Sequence, residues 1–553
     1  MNIYKTLLTS ALLLSVSIVL SQQNQSNQLG GTEGYSIPHL KKQGNATQLI
    51  VKNKPYLILG GELGNSTFTS VENMATVWPK LKAMNLNTIL APVFWELIEP
   101  EEGKFDFKLL DDLLLEARKN NFKIVLLWFG SWKNSMSSHA PAWVKTNQKR
   151  YPRAKDQNGI SQEILSPFGE NNLQADRLAF KTLMQHLRDI DGKEQTVIMV
   201  QPENEIGMLP SARDHSPLAN KKYNTKVPEE FINYLSKNKK VLVPEFHKVW
   251  SKNGFKTNGT WEEIFGIGEH TSEIFMAWYF AKFTQEVISA GKEVYPLPMF
   301  VNAALNAKGK KPGEYPSAGP LPHLMDVWKA AAPSIDFLSP DFYNPDFKYW
   351  NDLYVRQGNP LFIPEHKFDH TVAGKAAYAI GHYQAMGFSP FSIESSVDPH
   401  NEPLGRMYDL IGQLTPLITK NQGLNRMEGV LLDKENIGSI VRLGNYEFTF
   451  NHSYKLGWEA EAKNETWDMA GAIIIQTGNK EFYVAGNGFY VTFKNIKDPN
   501  LKVGILKVDE GVFENMKWKI IRHLNGDQTH QGRHLRIFKE NYNIQRLELY
   551  DYE

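Results

Sequence analysis

Eight short apolar runs, each followed by a stretch whose apolar residues recur at helical spacing, fill the chain from residue 56 to about 420. The runs fall at 56–63, 88–95, 123–130, 197–200, 298–304, 335–343, 361–365 and 388–394. Helical spacing occupies 71–84, 109–119, 175–190, 273–290, 324–331, 347–356, 374–386 and 406–419. An unbroken apolar run suits a strand of a parallel sheet covered on both faces. Strands alternating with helices are the signature of βαβ units. Eight such units in sequence predict an α/β fold, a closed (β/α)8 TIM barrel. An open doubly wound sheet is the competing topology, but it normally carries a Gly-rich phosphate turn after its first strand. Gly60-Gly61-Glu62 lacks that spacing. One long excursion, 208–268, interrupts the series after the fourth run and holds short helical pieces at 228–237 and 244–252.

After about residue 424 the period changes. Segments at 437–443, 446–450, 472–476, 481–485, 488–493, 502–509, 517–523 and 546–550 are short, rich in β-formers and punctuated by Gly, Asn and Asp. This pattern predicts a C-terminal β-sandwich domain over 423–553, behind a catalytic barrel over 46–422.

At the other end, Lys5 precedes an apolar run over 7–20, broken only by Thr9, Ser10, Ser15 and Ser17, and a Gln/Asn-rich tract follows. This reads as a secretory signal peptide over 1–21 with a linker over 22–45, the run being too short for a membrane span. The expected location is the periplasm or the outside of a bacterial cell. The chain has no cysteine, which excludes disulfides, thiolate catalysis and thiolate zinc sites. A hydrophobic fraction of 42%, a charged fraction of 22% and a net charge of +1 are those of an ordinary globular protein. They point to no nucleic acid and to no membrane beyond export.

In a parallel barrel the chemistry sits at the C-terminal ends of the strands. Those ends here carry Glu62, Trp95-Glu96, Trp128, Glu203-Asn204-Glu205, Asn302, Asp341 with Tyr343, Glu365-His366 and Glu394. No G-x-S-x-G elbow and no H-E-x-x-H spacing occur, so neither a serine triad nor a metal is expected, and no cofactor. A ring of carboxylates, amides and aromatics suits carbohydrate chemistry, in which two Asp/Glu residues flank the glycosidic bond. Glu205 ends the fourth strand and Glu365 the seventh, so the two can face one another across the mouth. Glu203, two residues back, is expected on the same face one layer deeper. Trp95, Trp128 and Trp132 are candidate sugar platforms, with core packing an equal alternative. Asn302 either contacts substrate or satisfies its own strand end. Arg213-Asp214-His215, in the excursion, borders the pocket or forms a surface ion pair.

The motif Pro-Glu-Asn-Glu-Ile-Gly at 202–207 is similar to the acid/base signature of family 35 glycoside hydrolases, in the clan of retaining (β/α)8 enzymes. Gly60-Gly61-Glu62 resembles that family's first-strand motif, and 93–107 its second-strand motif. The resemblance implies Glu205 as proton donor, Asn204 as contact to the sugar 2-hydroxyl and Glu365 as nucleophile. It also implies that Tyr343 bonds the nucleophile and that the activity is β-galactosidase, on oligo- or polysaccharides ending in galactose. The chain departs from the family at Glu96, where Asn is usual, at 127–132, and around His366. An α-L-arabinopyranosidase, a β-glucosidase or a non-catalytic carbohydrate-binding barrel are the competing readings.

Overall fold

The computed structural model describes residues 36–306 and 308–553; the expected signal peptide and most of the expected linker lie outside them. Eight strands form one parallel sheet: β1 (Ile58–Glu62), β2 (Thr88–Phe94), β3 (Lys123–Lys133), β4 (Val197–Asn204), β5 (Phe300–Ala304), β6 (Phe337–Phe342), β7 (Ile363–His366) and β8 (Gly387–Pro390). Their hydrogen-bonded order is β5-β6-β7-β8-β1-β2-β3-β4. The ring closes where Val200 on β4 bridges Met299 in parallel, with Val200 N donating to Pro298 O at 3.0 Å. The eight runs therefore form a TIM barrel. The helices that follow the strands are α1 (Val71–Ala83), α2 (Lys108–Lys119), α3 (Glu170–Asp191), α4 (Glu269–Val294), α5 (Met325–Ala331), α6 (Phe347–Tyr354), α7 (Val372–Gly381) and α8 (Pro403–Asn421).

The period-two pleat of β3 divides its side chains between two cores. On β3, Ile124, Leu126 and Trp128 join the large core between barrel and helices. Val125, Leu127 and Phe129 point into the barrel. The inner core also takes in Leu90, Phe94, Ile198, Met199, Phe300, Phe337 and Phe362, so the barrel is filled rather than open.

Its lower end is stopped by an antiparallel sheet of His39–Gln43, Ala46–Val51 and Lys54–Tyr56, whose Leu49 and Val51 enter the inner core. Residues 39–43 thus do not belong to a linker, as the sequence reading had it. The two-residue turn at Gly44 and Asn45 folds them back onto the next strand, where backbone pairing holds them.

The excursion after β4 supplies helices Pro217–Tyr223, Glu229–Asn238, Pro244–Lys252 and Trp261–Phe265. They pack on α4 through Phe231 against Trp278 and Trp261 against Phe275.

Ten strands follow α8: β9 (Met427–Leu432), β10 (Gly438–Leu443), β11 (Tyr446–His452), β12 (Ala470–Gln476), β13 (Glu481–Asn487), β14 (Phe489–Asn495), β15 (Lys502–Glu514), β16 (Lys517–His523), β17 (Leu535–Ile537) and β18 (Asn543–Tyr552). They form a six-stranded sheet, β9-β12-β13-β18-β15-β16, and a four-stranded sheet, β10-β11-β14-β17. Phe448, Phe450, Phe482, Val491 and Leu547 are buried between them. The other face of the larger sheet lies on α7 and α8. Glycines set the distance of approach: a Cβ on Gly471 would stand 2.6 Å from the Cα of Gly374, and one on Gly381 2.5 Å from that of Gly429.

Candidate active site

The acid/base candidate stands where the pleat of β4 breaks. Glu203 and Glu205 both adopt left-handed backbone conformations, φ 63° and 45°, uncommon for residues with a Cβ and each costing on the order of 1–3 kcal/mol. This break overturns the expectation that Glu203 shares a face with Glu205. Glu203 accepts a hydrogen bond from Trp132 N at 2.7 Å and lies beside Asp176 of α3, outside the barrel wall. Burial first, then the Asp176 carboxylate, pushes its carboxyl well above the ordinary range.

Glu205 turns into the mouth and is 5% exposed. Its backbone N donates to Asn302 Oδ1 at 3.0 Å, and its Oε2 accepts from Asn134 Nδ2 at 2.5 Å. Loss of solvent, and secondarily the charge of Glu365, pushes its pKa up to about 7, while Lys133 and a hydrogen bond from Asp341 pull it down.

Glu365 ends β7 and accepts a hydrogen bond on Oε1 from the Tyr343 hydroxyl. It pairs in register with Asp341 of β6. Burial, then the Glu365 carboxylate, holds the Tyr343 phenol far above its ordinary value, so it remains a donor. Carboxyl oxygens of Glu205, Asp341 and Glu365 all lie within 4.8 Å of one another. Three carboxylates that close could also chelate a cation, but a retaining glycosidase needs the same closeness of two of them.

Glu62, at the end of β1, completes the ring. Burial, then Glu365, drives its carboxyl well above the usual range, as burial and the neighbouring carboxylates do for Asp341. Both are thereby shifted toward the protonated form, which can donate as well as accept. Among the described residues of this ring, Asn204 Nδ2 has no partner, and Glu62 Oε1, Asp341 Oδ1 and Glu365 Oε2 have none other than neighbouring carboxyl groups. Buried polar groups left unpaired by the protein are costly. Together these four gather unsatisfied hydrogen-bonding capacity at the mouth of the barrel.

The other expected site residues fare unevenly. Glu96 stands at the rim in a short helix, Trp95–Ile98, bonded to Lys145 Nζ and His139 Nδ1, each at 3.2 Å. Asn302 bridges Glu205 N and Asp341 Oδ2, the latter at 2.5 Å, so both ends of its amide are bonded within the site. Trp95, Trp128 and Trp132 are not platforms. All three are fully buried, and their indole N–H groups donate to Glu99 Oε2, Asp176 Oδ1 and Leu165 O at 2.9, 2.9 and 3.1 Å. Strand parity turns Trp128 toward the helices, and Trp95, first residue of the short helix after β2, lies in the same outer core. Asp214 neither borders the pocket nor makes a surface pair; it is a buried hub that accepts from Lys155 N, Ser166 Oγ and Ser216 N.

Sequence reasoning missed Lys133 and Asn134. Lys133 is 6% exposed and donates to Asn204 Oδ1 at 3.0 Å. A lysine closely following the long apolar run 124–129 was the available signal.

Residues 70–277 match the model of glycoside hydrolase family 42, described as "Beta-galactosidase". Residues 404–536 match a domain of unknown function, DUF5597. A β-galactosidase of Xanthomonas manihotis is 28% identical over 184 residues, 31% of this chain and 27% of that protein. The chain therefore spans about a quarter of this relative's length. Among solved structures, Gan42B, a GH42 β-galactosidase from G. stearothermophilus, superposes with TM-score 0.51 at 11% identity, covering 92% of this chain and 100% of that one; this likeness concerns the fold alone. A β-galactosidase of Bacillus circulans gives TM-score 0.43 at 14% identity over 65% of this chain and 56% of that one. Over residues 70–277 the chain carries the pattern of the glycoside hydrolases of the clan its motifs resemble, and the family matched there is 42 rather than the expected 35.

Proposed function

We propose that the protein is a retaining exo-glycosidase of the family-42 kind that releases terminal β-D-galactose from oligo- or polysaccharides. The observation that carries this reading is the carboxyl pair. Glu205 and Glu365 come within 4.8 Å, near the ~5–5.5 Å of retaining enzymes and well short of the ~6.5–9.5 Å of inverting ones. The names of the matched family and of the Xanthomonas relative support galactose as the sugar.

In this mechanism Glu365 attacks the anomeric carbon as a carboxylate, and the glycosidic C–O bond breaks. Glu205 gives its proton to the departing oxygen. A pKa near 7 keeps that proton in place at neutral pH yet lets it leave. The Tyr343 hydroxyl holds Glu365 in line until attack withdraws the charge from Oε1. Water then attacks the glycosyl ester and surrenders a proton to Glu205, and the released sugar keeps its β configuration. Asn204 Nδ2, Glu62 and Asp341 are placed to bind ring hydroxyls.

A panel of 4-nitrophenyl glycosides tests the reading. The β-D-galactoside should be turned over fastest. Preference for the α-L-arabinopyranoside or β-D-glucoside would replace the sugar, and inertness toward all would leave a binding barrel. Export to the periplasm or medium is part of the same proposal. N-terminal sequencing of the mature protein should begin near residue 22; a start at Met1 would refute it.

A further inference from the structure

The register between β3 and β4 jumps at the mouth of the barrel: Trp128 pairs with Pro202, but the next pair is Lys133 with Asn204. The surplus residues of β3 form a bulge, a device that re-aims side chains beside active sites. Beyond it the chain reverses at once. Lys133 N donates to Met136 O at 2.8 Å and Met136 N to Lys133 O at 2.9 Å, enclosing Asn134 and Ser135, both left-handed with φ 49° and 68°. Two successive left-handed residues between paired ends make a type I′ turn, for which Asn is among the favoured residues.

Every residue at the start of this turn reaches the acid/base strand. Lys133 Nζ donates to Asn204 Oδ1, Asn134 Nδ2 to Glu205 Oε2, and Ser135 N to Glu205 O, at 3.0, 2.5 and 3.1 Å. We propose that the 133–136 turn is the positioning device of the acid/base residue and its neighbour. In it, Lys133 orients the Asn204 amide toward the sugar 2-hydroxyl, and Asn134 fixes which oxygen of Glu205 carries the catalytic proton. The inference rests on the glycosidase reading above.

The chemistry is specific. An ammonium has donors only, so it occupies the oxygen of Asn204 and leaves the NH2, which has no protein partner, facing the cavity. Asn134 Nδ2 likewise donates to Oε2 of Glu205, so the proton of the neutral acid resides on the other oxygen. Lys133 faces Glu62 of β1, Glu205, Asp341 of β6 and, on the outer side, His139 with its partner Glu96. Glu365 and Tyr343 complete the charged and titratable groups of the cavity. Its ammonium lies 5.0 Å from the Phe129 ring centre, which confines it to this position.

The test compares kcat and KM of the full-length protein and of K133M, K133Q and N134A on 4-nitrophenyl β-D-galactoside and its 2-deoxy counterpart. K133M should lose about 10- to 100-fold in kcat/KM on the galactoside, the range of one hydrogen bond to a charged group, and under about 3-fold on the 2-deoxy substrate. K133Q, which retains a donor without the charge, should recover most of the 2-hydroxyl discrimination. Both should shift the alkaline limb of the pH profile upward, because a positive charge beside Glu205 has gone. N134A should lower kcat with little change in KM. Equal losses on both substrates, or no loss, would overturn the Lys133 role, and unchanged kcat in N134A would overturn that of Asn134. K133Q, which keeps a polar group at this buried position, keeps the comparison decisive if K133M does not fold. Absence of turnover by the unaltered protein on every glycoside would overturn the glycosidase reading and this inference with it.

Discussion

Glu205 and Glu365 leave β4 and β7, strands separated by two others on one side of the ring and four on the other, yet their carboxyl oxygens come within 4.8 Å. That approach is made by the left-handed backbone at Glu205, which carries its side chain out of the pleat and over the barrel axis. Asn302 holds the strained peptide by accepting from Glu205 N, and through its other end holds Asp341, the register neighbour of Glu365. One amide therefore ties the two halves of the pair together.

Glu205→Gln should depress kcat/KM by about 10²–10⁴-fold on substrates with poor leaving groups, the range of general acid catalysis. The loss should shrink for a dinitrophenyl leaving group, which departs without a proton. A loss independent of leaving group would remove Glu205 from the acid role.

The pH profile of kcat/KM should fall on its alkaline side near pH 7, where Glu205 loses its proton. Stability follows the same group. Its folded pKa lies above the value of 4.5 for the free side chain, so the folded state retains a proton that the unfolded chain releases. Stability is thus full below that value and declines as pH rises toward 7. Glu205→Gln should consequently be more stable than the parent above pH 7, by on the order of 2 kcal/mol, in parallel denaturant titrations at pH 5 and 8. A gain equal at both pH values would contradict the assignment.

Tyr343→Phe removes the donor to Glu365 Oε1 while the ring keeps its half-exposed place. We expect kcat to fall about 10-fold or more, with KM changed less, since one hydrogen bond to a charged group is worth ~1.5–3 kcal/mol. Steady-state kinetics decide it, and unchanged kcat would leave Tyr343 a bystander.

Trp128→Phe should cost about 1–3 kcal/mol of stability by leaving Asp176 Oδ1 unpaired in the core, without altering KM. A raised KM at unchanged stability would restore the sugar-platform role that its burial denies it.

The barrel was legible because eight apolar runs and eight helical stretches have only one common closed arrangement. The close approach of Glu205 and Glu365 was legible because the two end the fourth and seventh strands, which face one another across a barrel mouth. Trp128 was misjudged where the pleat itself held the answer: it shares parity with Ile124 and Leu126, which face the helices. Glu203 was misplaced because period two fails where φ turns positive, a property of backbone that residue types do not announce. Lys133 escaped because it reaches the mouth through a bulge, and the register jump between Trp128 and Lys133 depends on pairing with β4. The stopper sheet at 39–56 was read partly as linker because its strands are short and its outer residues polar.

The account turns on Glu365 as the nucleophile. The most direct measurement is inactivation with 2,4-dinitrophenyl 2-deoxy-2-fluoro-β-D-galactoside, followed by peptide mass spectrometry of the labelled protein. The account predicts a single fluorogalactosyl ester on Glu365. A label on another carboxylate, or no label together with an α-configured first product by NMR, would contradict it.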